Sequence, residues 1–389
     1  AACGNTSGTS STASGTSSTT SEASTADDSS SGAEAETTGA SGGTLNLRST
    51  MEPTSLNSLL ATYAYDFTPM QAMIECLYRD DENDVPQPAA AESVDISDDK
   101  LVYTFHLRQG ATWSNGDPVT ANDFVFAWRQ LLNPVNAAEY YAFATVFKNG
   151  QAYYDYASGV EGAPEVKIED VGFKATDDYT LVCELEDYLP YFLQYVKFEV
   201  MAPVYEPFYT EVGADLFGTA PEYICYNGPF YMSEWVLENS ISCPKNEYYW
   251  DADKVNLAGI KWVKYTDSNA KFNAFVGGEL DVLDLTGEQR AMLEAEGYKP
   301  SNYMGGYSYW YWCNVRDAGR DVANLNLRKA ISAALDREQI ISTVYKNDNE
   351  PSPCLAYGIS GVNTQTFGEA VAQAYRDLLK PDTSLKTDW

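Results

Sequence analysis

The chain has 389 residues, of which 44% are hydrophobic, so it is long enough to bury more than one hydrophobic core. Its formal net charge is −31, from 25 basic and 56 acidic residues. Because nucleic-acid phosphates are bound by basic surfaces, this balance excludes nucleic acid as an expected partner.

The chain contains a single histidine, His106, which lies within a predicted strand. Catalysis by a Ser-His-Asp triad would therefore have to use this side chain. The sequence has no His-Glu-x-x-His zinc pattern and no glycine motif of the phosphate-binding or dinucleotide-binding kind. We expect a protein that is not an enzyme and that has no cofactor and no metal site.

Residues 4–43 consist almost entirely of Ser, Thr, Gly, Ala and acidic residues. Such a segment cannot bury enough apolar surface to offset the conformational entropy that folding would cost. The composition predicts a flexible tether before the folded part.

The first predicted elements are a strand at 44–48, a loop at 63–69 and a helix at 70–78. Leu45 and Leu47 are two residues apart, so they would share one face of the strand.

Residues 101–134 predict a strand, a polar turn and an amphipathic helix in that order. The β-forming residues stop at Gly110, and the run 115–118 (NGDP) has turn chemistry. Thr120 is the expected N-cap, with Asp123 at the N3 position, where a carboxylate favours the exposed amides. Apolar side chains then recur at helical spacing until Pro134, namely Phe124, Ala127, Trp128, Leu131 and Leu132.

The later elements mix strands and helices with long connections between them. They are hairpins at 171–185 and 231–250, a strand at 259–265, a helix at 268–276 with a turn and short strand at 277–282, a strand covered on both faces at 307–314, and a helix at 326–341.

The string TFHLRQGATWSNGDPVTANDFVFAW, residues 104–128, closely resembles the signature region of the peptide/nickel-type (family 5) extracellular solute-binding proteins. These proteins are the receptor subunits of ABC importers. Further motifs of the family follow in the same order, and the resemblance covers residues 45–379. The motifs are VGFKATDDYTLVCEL at 171–185, NGPF at 227–230 with Trp235 after it, and NLRKAISAALDREQII at 326–341.

The resemblance implies an α/β, two-lobed periplasmic-binding-protein-like fold with an extra domain inserted in the first lobe. Domain I would comprise 44–74 plus 204–306, domain II 75–203, and domain III would begin at 307 and run to 389. We expect domain III to be incomplete, because the family's usual C-terminus lies well beyond residue 389. Ligand would be trapped between the lobes by hinge closure.

By the same resemblance, Thr62, Tyr63 and Ala64 correspond to the edge segment that hydrogen-bonds the main chain of a bound peptide. An ordinary surface loop is the alternative. The motif Glu75-Cys76 departs from the family's usual Glu-Gly and leaves the local backbone geometry open.

Three aromatic residues are further ligand-binding candidates. Tyr140 corresponds to a cleft tyrosine of the family, although the adjacent Tyr141 and Phe143 leave the register open by one residue. Trp310 and Trp312 share one face of the predicted strand. Either they form a wall of the pocket or they fill the core.

The N-terminal residues Ala1-Ala2-Cys3 look like the end of a lipoprotein signal peptide. The resemblance then makes Cys3 the lipidated residue, which would anchor the protein to the outer face of the cytoplasmic membrane, in an extracellular or periplasmic location. Its partners would be an oligopeptide ligand and the ABC permease subunits, and we expect a monomer.

The expected function is capture of oligopeptides and their delivery to an ABC permease. Within the family the alternatives are dipeptides, nickel chelates or oligosaccharides as ligands, and a peptide-sensing receptor is a further alternative. Six more cysteines could form bridges in an exported protein, and Cys225 with Cys243 is the favoured pair because the two flank the NGPF turn.

Overall fold

A computed structural model describes residues 42–49, 51–301, 309–346 and 349. These residues all belong to the second of two units, Ser41–Trp389. Cys3 and the rest of the predicted tether up to residue 41 lie outside the described residues, as do 302–308 and Cys354. In the part of the chain that is described, no helix is long and apolar enough to cross a membrane.

The described elements are a mixture of strands and helices. The strands are β1 Thr44–Ser49, β2 Tyr78–Asp80, β3 Pro86–Pro88, β4 Ala91–Ile96, β5 Val102–Leu107, β6 Phe173–Asp177, β7 Thr180–Glu184, β8 Glu234–Val236, β9 Ser240–Pro244 and β10 Gly259–Lys264. The helices are α1 Ala64–Met73, α2 Ala121–Leu131, α3 Gly150–Ala157, α4 Phe192–Tyr195, α5 Glu206–Val212, α6 Ser268–Val276, α7 Gly287–Ala295, α8 Leu325–Ala334 and α9 Arg337–Ile340, the last followed by a π-turn at Ile341–Tyr345.

A mixed sheet joins distant parts of the chain in the order β1-β10-β9-β8. β1 and β10 pair in parallel, with Leu47 opposite Trp262, and the other neighbours are antiparallel. The predicted strand at 44–48 is confirmed, and Leu45 and Leu47 are both half-buried, as are the residues between and after them.

A separate antiparallel sheet has the order β4-β5-β7-β6, and β2 and β3 form a small hairpin. In β5 the side chains of Tyr103, Phe105 and Leu107 are buried, while the intervening ones are half-buried. This alternation of period two is the pattern of a strand with one face on a core.

Helix α2 confirms the prediction made from the signature string. Thr120 is its N-cap, and the Asp123 carboxylate accepts a hydrogen bond from the Thr120 N–H at 2.7 Å. Trp128 is fully buried, its ring stacks on Phe147 at 4.9 Å, and its Nε1 donates to the Met201 carbonyl at 3.0 Å. The apolar face of α2 is therefore packed through the large Trp128 side chain, whose indole N–H keeps a hydrogen-bond partner.

The first helix was predicted wrongly at 70–78, because α1 spans Ala64–Met73 and contains Pro69. Residues 63–69, predicted as a loop, thus form its N-cap and first turns. Pro69 interrupts one backbone bond without ending the helix, since only the Tyr65 carbonyl loses its donor. The chain leaves the helix at Ile74, which is extended.

Three later predictions also need correction. The predicted strand at 307–314 is irregular over its described residues 309–314, where Tyr309, Tyr311 and Trp312 are 78%, 82% and 85% exposed. A strand with two apolar faces needs neighbours on both sides, and no described strand pairs with this segment.

The other two corrections concern breaks in regular structure. The segment after α6 forms no strand, although the Asp281 N–H donates to the Asn46 carbonyl of β1 at 2.9 Å. The helix predicted at 326–341 is two helices, α8 and α9, because Asp336 caps a new helix by accepting from the Gln339 N–H at 3.0 Å.

The favoured disulfide is not formed, because Cys225 and Cys243 are both free and buried. The Cys225 sulfur lies 3.7 Å from the Ser114 hydroxyl, whereas the Cys243 sulfur lies 3.7 Å from the Met73 sulfur. The two thiols therefore face different neighbours.

Candidate ligand-binding surface

The loop before α1 is held by one buried carboxylate, that of Asp66, which is 0% exposed. Its Oδ1 accepts from the Thr54 N–H at 2.6 Å, and its Oδ2 accepts from the N–H groups of Thr62 at 3.3 Å and Tyr63 at 3.1 Å. The Thr54 hydroxyl lies 3.1 Å from both oxygens. One side chain thus collects donors from two separate stretches of chain.

Most main-chain groups of Thr62 and Tyr63 are already used within the chain. Their N–H groups donate to Asp66, and the Tyr63 carbonyl accepts from the Asp66 N–H at 2.9 Å. The Thr62 carbonyl accepts from the Tyr140 hydroxyl at 3.4 Å, which is long for such a bond. In the described part of the chain, the Ala64 N–H makes no hydrogen bond, so it is free to donate to a ligand.

Tyr63 and Tyr65 lie at the N-terminus of α1. The rings of Tyr63 and Tyr65 stack nearly parallel, with centroids 4.9 Å apart and an angle of 10°. Tyr63 is 51% exposed and Tyr65 is half-buried. Desolvation, followed by the nearby Tyr63 and Asp66, raises the pKa of Tyr65 above its usual value, so the Tyr65 hydroxyl is a neutral donor at neutral pH.

Tyr140 belongs to an aromatic cluster next to this loop. Its ring packs edge-on against Phe67, Phe143 and Phe198 at 6.0, 5.8 and 5.6 Å. Phe143 stacks in turn on Tyr195 at 4.2 Å. Burial raises the pKa of Tyr195, whose hydroxyl donates to the Ala142 carbonyl at 3.3 Å.

The structure settles which tyrosine of the pair reaches the loop. Tyr141 turns away and stacks on Tyr154 at 3.9 Å, whereas Tyr140 contacts Thr62. Four of the six predicted ligand-binding residues, Thr62, Tyr63, Ala64 and Tyr140, therefore lie together.

The two predicted tryptophans lie apart from that group. Trp310 and Trp312 are 51% and 85% exposed, and their ring centroids are 5.9 Å from each other. Among the described residues, no hydrogen bond or ring contact joins them to Thr62 or Tyr140. Their role in ligand binding stays a prediction.

Sequence reasoning missed the buried acid Glu75, which follows α1. Its Oε1 accepts from the Trp250 Nε1 at 2.6 Å, its Oε2 accepts from the Tyr249 hydroxyl, and Arg79 Nη1 lies 3.6 Å away. Arg108 stacks over Trp250 at 4.0 Å. Burial raises the pKa of Glu75, while these donors and the two arginines act against that rise.

At Glu75-Cys76, where the sequence departs from the family's usual Glu-Gly, the backbone is held by hydrogen bonds to Asn227. The Asn227 side chain accepts from the Glu75 N–H at 2.9 Å and donates to the Glu75 carbonyl at 2.8 Å. Cys76 is buried, and its thiol lies 3.5 Å from the Phe198 carbonyl. The NGPF turn therefore fixes the exit of α1, below the aromatic cluster.

Two surface grooves lie elsewhere on the described residues. One has a volume of about 440 Å³ and is lined by Lys100, Tyr103 and Tyr188 among others. The other has a volume of about 280 Å³ and is lined by Asp117, Asp123 and Tyr205 among others. Neither is lined by the predicted ligand-binding residues. Within the described ranges, no three His, Cys, Asp or Glu side chains are grouped so that they could hold a metal ion.

His106 is a partly exposed strand residue. Its Nε2 lies 2.9 Å from the Asp95 carboxylate on the neighbouring strand β4, so it belongs to a surface pair of the antiparallel sheet.

The sequence profile described as bacterial extracellular solute-binding proteins, family 5, middle region, matches residues 85–382. The chain belongs to this family. Its members are substrate-binding proteins, and the family description places them outside the cell.

Relatives and solved structures agree with this assignment. The chain is 33% identical over 344 residues to the dipeptide-binding protein DppE of Bacillus subtilis, covering 87% of this chain and 60% of DppE. It is similar to the substrate-binding domain of an oligopeptide ABC transporter from Bacillus anthracis, with a TM-score of 0.74, 30% identity, and coverage of 87% and 67% of the two chains. It is likewise similar to Listeria monocytogenes OppA bound to peptide, with a TM-score of 0.69, 31% identity, and coverage of 87% and 69%.

These matches confirm the predicted two-lobed, periplasmic-binding-protein-like α/β fold. The chain of this family 5 protein spans 60%, 55% and 50% of the lengths of three curated relatives that it matches.

Proposed function

We propose that this chain is the capturing part of an extracellular lipoprotein that binds oligopeptides between two lobes and delivers them to an ABC permease. The observation that carries the proposal is the contact between Tyr140 and Thr62. This contact places the aromatic cluster around Tyr140, here called the aromatic wall, beside the Thr62–Ala64 loop and the free Ala64 N–H. The fold is similar to that of a protein solved with bound peptide.

The chemistry of this surface suits ligands of varied sequence. The Ala64 N–H can donate to a main-chain carbonyl, and every peptide presents such carbonyls. Tyr63, Tyr65 and Tyr140 add large aromatic faces that carry a hydroxyl, so they can contact apolar and polar side chains alike. No chemical step is part of this function.

The domain boundaries are part of the same proposal. The mixed sheet takes β1 from 44–74 and its other strands from 204–306, while the antiparallel sheet lies within 75–203. This division supports domain I as two stretches of chain around an inserted domain II. Domain III from 307 to 389 is proposed on the resemblance alone.

The anchor and the partners belong to the proposal as well. Lipidation of Cys3 would hold the protein on the outer face of the cytoplasmic membrane, with residues 4–43 as the tether. The receptor would act as a monomer that docks on its permease subunits.

A thermal shift series tests the proposal with three ligand panels: pooled random pentapeptides, oligosaccharides and nickel. A ligand that binds the native state alone raises Tm by mass action. We expect a rise with the peptides and none with the other two panels. A rise in Tm with sugars or nickel alone would leave the family assignment intact and would contradict the proposal that peptides are the ligands.

The matched variants Tyr140→Ala and Tyr141→Ala test the surface itself. Both remove a half-buried tyrosine, but only Tyr140 contacts the loop. We expect Tyr140→Ala to weaken peptide binding by about tenfold, since aromatic anchors dominate such contacts, and Tyr141→Ala to leave binding unchanged. Equal effects would show that the surface lies elsewhere.

A further inference from the structure

We propose that Asp66 is the positioning residue of the ligand-binding surface: its carboxylate fixes the direction of the Thr62–Ala64 backbone without touching the ligand. The inference rests on the proposed function, because it concerns the surface that would hold the peptide. Asp66 is fully buried and occupies the N3 position of α1.

The two carboxylate oxygens of Asp66 accept hydrogen bonds from different backbone N–H groups. Oδ1 accepts from the Thr54 N–H, which anchors the carboxylate to the chain after β1. Oδ2 accepts from both loop amides, those of Thr62 and Tyr63. A carboxylate can accept bonds at both oxygens, whereas an amide has one oxygen and a donating nitrogen. The isosteric Asp66→Asn change must therefore place a donor against either Thr54 or the loop.

The direction of the loop backbone decides what a ligand meets. The amides of Thr62 and Tyr63 donate inward to Asp66. Ala64 is the first residue of α1, so its N–H has no acceptor among the described residues, and the Tyr63 ring is exposed. The Thr62 carbonyl is held where the Tyr140 hydroxyl reaches it. Releasing the amides would allow the loop to rotate and would separate the free N–H from the aromatic wall.

The chain supplies a matched control in α2. Asp123 occupies the same N3 position, is 5% exposed, and its carboxylate accepts from the N-cap amide of Thr120 at 2.7 Å. It shares the capping chemistry of Asp66 but makes no bond to the loop at 62–64. Asp123→Asn therefore reproduces the stability cost of a damaged cap without the proposed positioning effect.

The test compares the wild-type chain, Asp66→Asn and Asp123→Asn by amide hydrogen exchange and by affinity for a random pentapeptide pool. Relative to the control, we expect Asp66→Asn to speed exchange of the Thr62 and Tyr63 amides by about tenfold, the effect of losing a charge-assisted bond. We expect it also to weaken peptide binding by about tenfold, whatever the peptide sequence.

Each part of this result can fail on its own. Unchanged exchange at Thr62 and Tyr63 would overturn the positioning role, whether or not peptides bind. Faster exchange with unchanged peptide affinity would show that the loop is held by Asp66 but does not meet the ligand. A wild-type chain that binds no peptide would refute the proposed function, and the exchange data would still decide how the loop is held.

A milder variant covers the case in which Asp66→Asn does not fold. Thr54→Val removes the hydroxyl that lies 3.1 Å from both Asp66 oxygens and keeps the shape of the side chain. We expect exchange of the Thr62 and Tyr63 amides to rise by about threefold, because the carboxylate loses part of its anchor. No rise in exchange would overturn the proposal.

Discussion

Asp123 shows how one buried carboxylate couples the fold to pH. Its Oδ2 accepts from the Thr120 amide and from the Trp113 Nε1 at 3.2 Å, yet burial outweighs these donors and raises its pKa from 3.8 to about 6. The native state therefore binds a proton near pH 6, whereas the unfolded chain does so near pH 4. Since the native state holds more protons in this window, its stability rises as the pH falls from about 6 to about 4.

The contribution of Asp123 is measured by comparing the free energy of unfolding of wild type and Asp123→Asn in urea. A shift of about two pKa units means that the free energy of unfolding of wild type rises by up to about 3 kcal/mol relative to the variant as the pH falls from 7 to 4. Subtracting the two pH profiles cancels the contributions of the other titrating groups. These include Glu75 and Glu199, whose pKa values are also raised by burial. Parallel pH profiles of the two proteins would contradict this account.

At the scale of elements, the end of α1 is clamped by the NGPF turn. The Gly228 N–H donates to the Met73 carbonyl at 2.9 Å, and the Phe230 N–H donates to the Ala72 carbonyl at 3.1 Å. The turn thereby satisfies carbonyls that a helix end leaves without partners. A close approach of two backbones is needed for these bonds, so residue 228 has no room for a side chain.

Gly228→Ala tests this clamp. An added Cβ would lie 2.5 Å from the Met73 carbonyl carbon, so one of the two backbones must move. We expect a loss of about 1–3 kcal/mol in the free energy of unfolding, as overpacking costs. Gly110→Ala is the control, because no atom lies within 4 Å of its added Cβ. A Gly228→Ala protein as stable as the control would show that the clamp contributes little.

The sequence predicted α2 and missed the start of α1 for a physical reason. In α2 the cap, the acidic N3 residue and the apolar spacing all agree, so local chemistry defines the helix. In α1 the N-cap is Tyr63, a poor capping residue, and Pro69 interrupts the backbone. One donor that holds its first turn is the Thr54 N–H, which lies 12 residues from Asp66, so no pattern within the helix shows it.

The candidate site was predictable in part. Family motifs placed Thr62, Tyr63, Ala64 and Tyr140, but Asp66 and Glu75 act through contacts with distant residues such as Thr54 and Tyr249. An acid at the N3 position is the one local signal that could have indicated Asp66. The strand predicted at 307–314 does not form over its described residues 309–314, because alternating apolar residues need neighbouring strands before they form one.

At the scale of the whole molecule, a mixed sheet, an antiparallel sheet and one loop beside an aromatic cluster make up the proposed peptide receptor. The described contacts place the loop between these parts: Asp66 ties it to the chain that leaves β1, and Tyr140 ties it to the chain that follows α2. The proposed receptor would bind the peptide backbone and tolerate many side chains. We therefore expect sequence-tolerant capture of peptides, one per chain.

Native mass spectrometry of the chain with a random pentapeptide library tests this claim most directly. We expect complexes with one peptide each, whose peptide masses spread broadly across the library. Retention of a single mass would contradict tolerance for sequence, and retention of none, with oligosaccharide or nickel retained instead, would contradict peptide capture itself.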